Sequence, residues 1–399
     1  MPTSTEVPEP PYGWIVVWAC FVSLAVIFGV AYAFAALFES FATDFAADRA
    51  DVSLVFGLSG LIYFTLGIGG GMLADRFGPR AVCCIGMVFI AAGLLATSFA
   101  QSLLMVYLSY GVGIGIGIAL VYTPSIACVQ PWFTRRRGLA AGIASAGIGA
   151  GTLLIPLLVA LAITVLQWRD ALRVLALLVL LVGVGAASLL RRAPSATASE
   201  LRNVPGATLR EALHSRAFWC LYLVALSGGP IMFIPFAHIS AAARDIGVAD
   251  AQAVALVGMI GIGSLVGRFA IGALADRIGR GQTLVLMQLS MGASYLLWHV
   301  ADGYTAFVLF ALWFGLSYGG IVSLLPALCM DLFGARAVAG IIGSLYSGAA
   351  LGNLLGPVVA GAVFDRTGSY TTVIWSCIAL SVVAVWSARR LVAMRQDNY

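Results

Sequence analysis

The sequence contains twelve apolar runs, each close to the roughly 20 residues an α-helix needs to cross about 30 Å of hydrocarbon. They fall at 14–38, 52–74, 81–100, 103–128, 139–166, 172–190, 218–243, 253–275, 283–300, 305–330, 338–364 and 370–387. Within lipid a backbone satisfies its own polar groups only as a helix or a closed barrel, so runs of this length predict an all-α bundle of twelve transmembrane helices. Composition agrees. Charged residues make up 10% of the 399 and hydrophobic residues 61%, where a soluble domain carries about 25% charged. A soluble enzyme, a secreted disulfide scaffold and a disordered regulator are excluded. The 46 glycines suit helices that must approach closely without a hydrophobic force between them. The first run has no basic segment or small-residue cleavage site ahead of it, so it reads as a retained span.

All 22 basic residues are arginine. With the N-terminus inside, sixteen of them fall in cytoplasmic segments. Five fall outside: Arg49, Arg169, Arg173, Arg244 and Arg366. Short cytoplasmic loops are enriched in basic residues, so both termini are expected in the cytoplasm, in an inner or plasma membrane. The net charge of +5 is scattered through loops and gives no footprint for nucleic acid. The seven cysteines lie in apolar stretches without the spacing of a metal site or disulfide framework, so no metal or cofactor is expected.

The longest polar stretch, 191–216, divides the chain into an N-terminal six-helix bundle (1–190) and a C-terminal one (217–399). A repeat supports the division: GMLADRFGPR begins at Gly71 and GALADRIGRG at Gly272, 201 positions on, each after the second span of its half. A fainter echo relates RRRGLAAGIASAGIGAG, from Arg135, to GARAVAGIIGSLYSGAALG, from Gly334. Repeated halves of six spans describe transporters that alternate access around a midplane site.

The doubled GxxxDRxG resembles the signature of the major facilitator superfamily over nearly the whole chain. Asp75, Arg76 and Arg80, with Asp276, Arg277 and Arg280, are expected to bridge helix ends at a cytoplasmic gate. PPYGWIVV, at Pro10 to Val17, and WFTRRRGLAAGIASAGIGAG, at Trp132 to Gly151, resemble the paired signatures of monocarboxylate transporters and their oxalate:formate antiporter relatives. FIPFAHISAAARDIGV, at Phe233 to Val248, points the same way. The fourth span carries no charge, which departs from the multidrug proton antiporters.

Arg268 is the basic residue placed well inside a span. Its counterpart in the first half is Gly67, so the charge was added to one half only. An arginine at such depth costs on the order of 3 kcal/mol on insertion scales, and no acid lies at similar depth. Guanidinium is a planar fork that stays charged and takes a carboxylate bidentately, so an anionic substrate is expected to offset that cost. The resemblance places an arginine here in the pattern GRFxxG. It also implies an aspartate four residues earlier, where this chain has Ser264, and, in oxalate carriers, a lysine where this chain has Gly348. One buried cation fits one carboxylate.

Tyr122, Tyr32, Tyr318 and Tyr346 are expected to add hydroxyl donors, because the resemblance puts their helices along the transport path. His238 is a candidate for outer gating or proton passage, and Asn353 for a packed bend. The expected function is alternating-access symport of a small monoanion such as lactate or pyruvate with a proton, by a monomer in the bilayer. Anion exchange of the oxalate:formate type is the alternative, and a non-transporting sensor a remote one. The spans hold no paired carboxylates and no nucleophile beside a base, so an enzyme is not expected.

Overall fold

The computed structural model describes residues 11–133, 136–193, 206–334 and 336–396. Pro10, Arg135 and most of the polar stretch, residues 194–205, lie outside them. Twelve long helices follow in chain order: α1 (Tyr12–Asp44), α2 (Arg49–Phe77), α3 (Pro79–Ser98), α4 (Leu103–Val129), α5 (Arg137–Val165), α6 (Trp168–Ser188), α7 (Arg216–Asp245), α8 (Asp250–Ile278), α9 (Arg280–His299), α10 (Tyr304–Phe333), α11 (Val338–Thr367) and α12 (Thr371–Gln396). Eleven are both long and apolar enough to span a membrane. The other, α9, has 20 residues and is less apolar because it carries Gln282, Gln288, Ser290 and Ser294. A short helix, Leu209–His214, precedes α7 and is closed by a capping box between Thr208 and Glu211.

The two six-helix bundles are related by pseudo-symmetry at their contact: α2 packs on α11 and, in the equivalent place, α8 packs on α5. The repeat extends to the turns. Gly78, between α2 and α3, has φ 92°, and Gly279, between α8 and α9, has φ 87°. These are 201 residues apart, and only glycine takes such a conformation without strain.

Small residues set the helix spacing. A Cβ on Gly151 of α5 would collide with the Ala25 carbonyl of α1, and one on Gly267 of α8 with the Leu316 carbonyl of α10. Backbones therefore touch at both places, where dispersion and close packing hold helices that lipid does not drive together. Prolines supply bends with compensation. Pro235 in α7 has no N–H for the Ile231 carbonyl one turn back, and that carbonyl accepts from the Tyr295 hydroxyl of α9 at 2.7 Å.

Candidate functional site

Arg268 sits ten residues before the end of α8, about 15 Å along the helix axis at 1.5 Å per residue. The two faces of α8 are sharply different here: Phe269 is 49% exposed and Arg268 only 7%. The contact of Gly267 with α10 turns the guanidinium toward the interior, where its charge acts on the hydroxyls of Tyr32, Tyr122 and Tyr318. Its Nε and Nη2 are buried without a hydrogen-bond partner, as is the Ser264 hydroxyl one turn earlier on α8. Among the described residues no carboxylate forms an ion pair with Arg268. A buried charge left in this state is strongly destabilising unless something else solvates it.

A cavity of about 70 Å³ lies between the bundles. Tyr32, Tyr122, Tyr318 and Tyr346 all line it. Arg268 is not among the residues of its wall. The Tyr32 and Tyr318 hydroxyls meet at 3.1 Å across the two halves, and those of Tyr122 and Tyr346 interact. Apolar rings close the remaining sides: Phe236, below the wall, stacks on Tyr32 with centroids 4.1 Å apart, and Phe28 meets Tyr122 edge to face at 5.2 Å. Tyr63, Phe64 and Phe233 also line the cavity, and so does Gln288. Sequence reading missed these. The aromatics carry no mark separating them from packing residues, but a glutamine in mid-span was a legible signal. Hydroxyls, rings and one fork-shaped cation can together orient a carboxylate in a largely apolar chamber.

His238 is elsewhere. It is fully buried at the end of the molecule opposite the termini, where its Nδ1 bonds the Tyr370 hydroxyl at 2.9 Å and its Nε2 the Pro357 carbonyl at 2.8 Å. The Nε2 also lies 3.1 Å from the Ser53 hydroxyl of α2. Because a carbonyl only accepts, Nε2 carries a proton. Above the ring, Arg49 of α2 grips Asp245 at the end of α7 and donates to Tyr370 at 2.7 Å.

The repeated turns hold less than expected. Arg280 does bridge helix ends, to Asp331 and the Ala327 carbonyl of α10, within one half. Among the described residues Asp75 and Asp276 make no ion pair. The backbone carbonyls of Ala74 and Asp75 accept instead from Arg192. Asn353 of α11 reaches across the halves, its Nδ2 donating to the Phe56 and Gly57 carbonyls of α2 at 3.3 and 3.4 Å, in space that Gly60 leaves open.

The family model described as the Major Facilitator Superfamily matches residues 19–343 and 231–396. Monocarboxylate transporter 13 of Bos taurus is 32% identical over 371 residues, covering 92% of this chain and 86% of that protein. The chain belongs to the monocarboxylate transporter family. Human monocarboxylate transporter 2 is 26% identical over 97% of this chain and 87% of its own length. The fold also matches a bacterial homolog of the human lysosomal transporter Spinster, solved in an inward-facing and unoccupied conformation, with a TM-score of 0.72 at 16% identity over 96% of this chain and 97% of that one.

Proposed function

We propose that the chain is a secondary carrier of monocarboxylates, working by alternating access, with Arg268 as the carboxylate anchor. One observation carries the reading: a buried guanidinium whose Nε and Nη2 have no protein partner. A carboxylate would accept from that fork, while Tyr32, Tyr122, Tyr318 and Tyr346 hold the rest of the molecule and Ser264 adds a hydroxyl nearby. The names of the relatives, as monocarboxylate transporters, favour the same cargo class. The bundles at 1–190 and 217–399 would rock about this site. The arginine count supports a cytoplasmic side, in an inner or plasma membrane, for both termini and for the turns carrying Asp75, Arg76, Arg80, Asp276, Arg277 and Arg280.

A proton accompanies the anion in this account, and the substrate carboxylate is its carrier. Among the described residues, those lining the cavity include no aspartate, glutamate or histidine, and His238 belongs to the opposite-end latch. The same observation favours a second reading, exchange of one acid for another, which requires no titrating group. Labelled lactate uptake into proteoliposomes separates them. Uptake into empty vesicles that follows an imposed pH gradient supports symport, a requirement for internal acid supports exchange, and no uptake of any monocarboxylate refutes both.

A further inference from the structure

Gln288 lies on α9, eight residues from its start, or about 12 Å along the helix. It has no exposed surface, and neither its Oε1 nor its Nε2 has a hydrogen-bond partner. Among the described residues it is the unpartnered polar side chain that lines the cavity. It faces Gly228 of α7, where a Cβ would come within 3.6 Å of Nε2. A buried amide without partners loses about 1–3 kcal/mol per polar group, and a water is a poor substitute because it needs two to four polar partners itself. Val224, Ala225, Ile321 and Val322 line the same cavity.

We propose that Gln288 is a specificity-determining residue that receives a second hydrogen-bonding group of the cargo. The inference rests on Arg268 being the carboxylate anchor. Helices α8 and α9 both pack against α10, and Gln288 of α9 lines the cavity together with Tyr318, Ile321 and Val322 of α10. The occupant that satisfies both anchors is a longer monocarboxylate: a carboxylate at Arg268, a flat apolar body among the rings of Tyr63, Phe64 and Phe233, and a hydroxyl, carbonyl or amide at the far end. An amide offers a donor and an acceptor together, so it takes any of the three.

The test uses the full chain in proteoliposomes with hydrocinnamate and its para-hydroxy derivative, which differ by one distal hydroxyl. A site built to bond a substrate hydroxyl discriminates strongly against the analogue lacking it. The unmodified protein should take the hydroxylated acid at least about tenfold faster. Gln288→Leu should bring that ratio to about one, and Gln288→Asn, which keeps the amide but shortens its reach, should fall between. Without cargo, Gln288→Leu should melt no lower than the parent, because leucine leaves no unpaired polar atom. An unmodified protein with a ratio near one, or the same ratio in Gln288→Leu, overturns the assignment. Lactate uptake without uptake of either aromatic acid also overturns it while leaving the carrier reading intact. Folded protein that transports no monocarboxylate at all refutes the carrier reading, and this inference with it.

Discussion

Arg49 holds Asp245 with both terminal nitrogens, Nη1 to Oδ2 at 2.9 Å and Nη2 to Oδ1 at 2.6 Å. The pair joins the first turn of α2 to the last of α7, one helix from each half. Around it the Phe364 ring lies 3.8 Å from the guanidinium carbon, and the Asp365 carboxylate caps α2 by accepting from the Arg49 and Ala50 backbone N–H groups at 3.1 and 3.0 Å. These donors are the orphan groups of a helix start, where negative charge is favoured. Opening the molecule on this side requires the whole cluster to part.

The latch pair is partly exposed, with side-chain accessibilities of 19% and 33%, so its coupling is that of a screened pair. A double-mutant cycle of Arg49→Ala and Asp245→Ala, read by thermal unfolding, should give an interaction of about 1 kcal/mol. Each single substitution should also raise the labelling of engineered thiols on the far side of the cavity. Zero coupling with unchanged labelling would remove the latch from the account.

The Tyr32–Tyr318 bond crosses the halves beside the anchor. Replacing either tyrosine by phenylalanine should raise the KM for the transported acid about fivefold, the equivalent of about 1 kcal/mol for one neutral hydrogen bond. The double variant should lose little more than either single one, since both remove the same bond. Full additivity would show that the two hydroxyls act separately.

Backbone contact at Gly267 positions Arg268. Gly267→Ala must push α8 from α10, and overpacking of this kind costs about 1–3 kcal/mol. The variant should unfold at a lower temperature and bind acid more weakly. Unfolding unchanged in temperature would mean the helices can separate freely here.

Glu211, fully exposed in the capping box, is held below the usual carboxylate range by the Thr208 backbone N–H and then its hydroxyl. A carboxyl lowered on folding stabilises above its unfolded value and loses that contribution as pH falls through the folded one. Hydrogen exchange over residues 209–214, corrected for intrinsic rates, should therefore accelerate in the acid range. Thr208→Ala should show the fast rate at neutral pH.

Much of this was written in the sequence. Twelve runs of spanning length, a repeat 201 residues apart and one arginine inside a span give the bundle, its symmetry and its buried unpaired cation, because lipid penalises every exception to apolar patterning. The four expected tyrosines do converge on one chamber. What stayed hidden depends on the angle at which helices meet. Arg49 reads as a topology marker at a span end and Asp245 gives no signal of its own, since nothing local says that α2 and α7 come together there. His238, expected at an outer gate or in proton passage, bonds Tyr370 of the latch, a partner that no local pattern announces. Gln288 was lost among the serines of α9, the least apolar of the twelve helices.

The central claim is that Arg268 is unpaired because an organic acid is its partner. The direct measurement is proteoliposome uptake by Arg268→Gln and Arg268→Lys, alongside their unfolding temperatures. Arg268→Gln should abolish uptake in a protein that unfolds no lower than the parent, since it removes an uncompensated charge, and Arg268→Lys should be poor because the fork is lost. Uptake by Arg268→Gln at the parent rate would contradict the account.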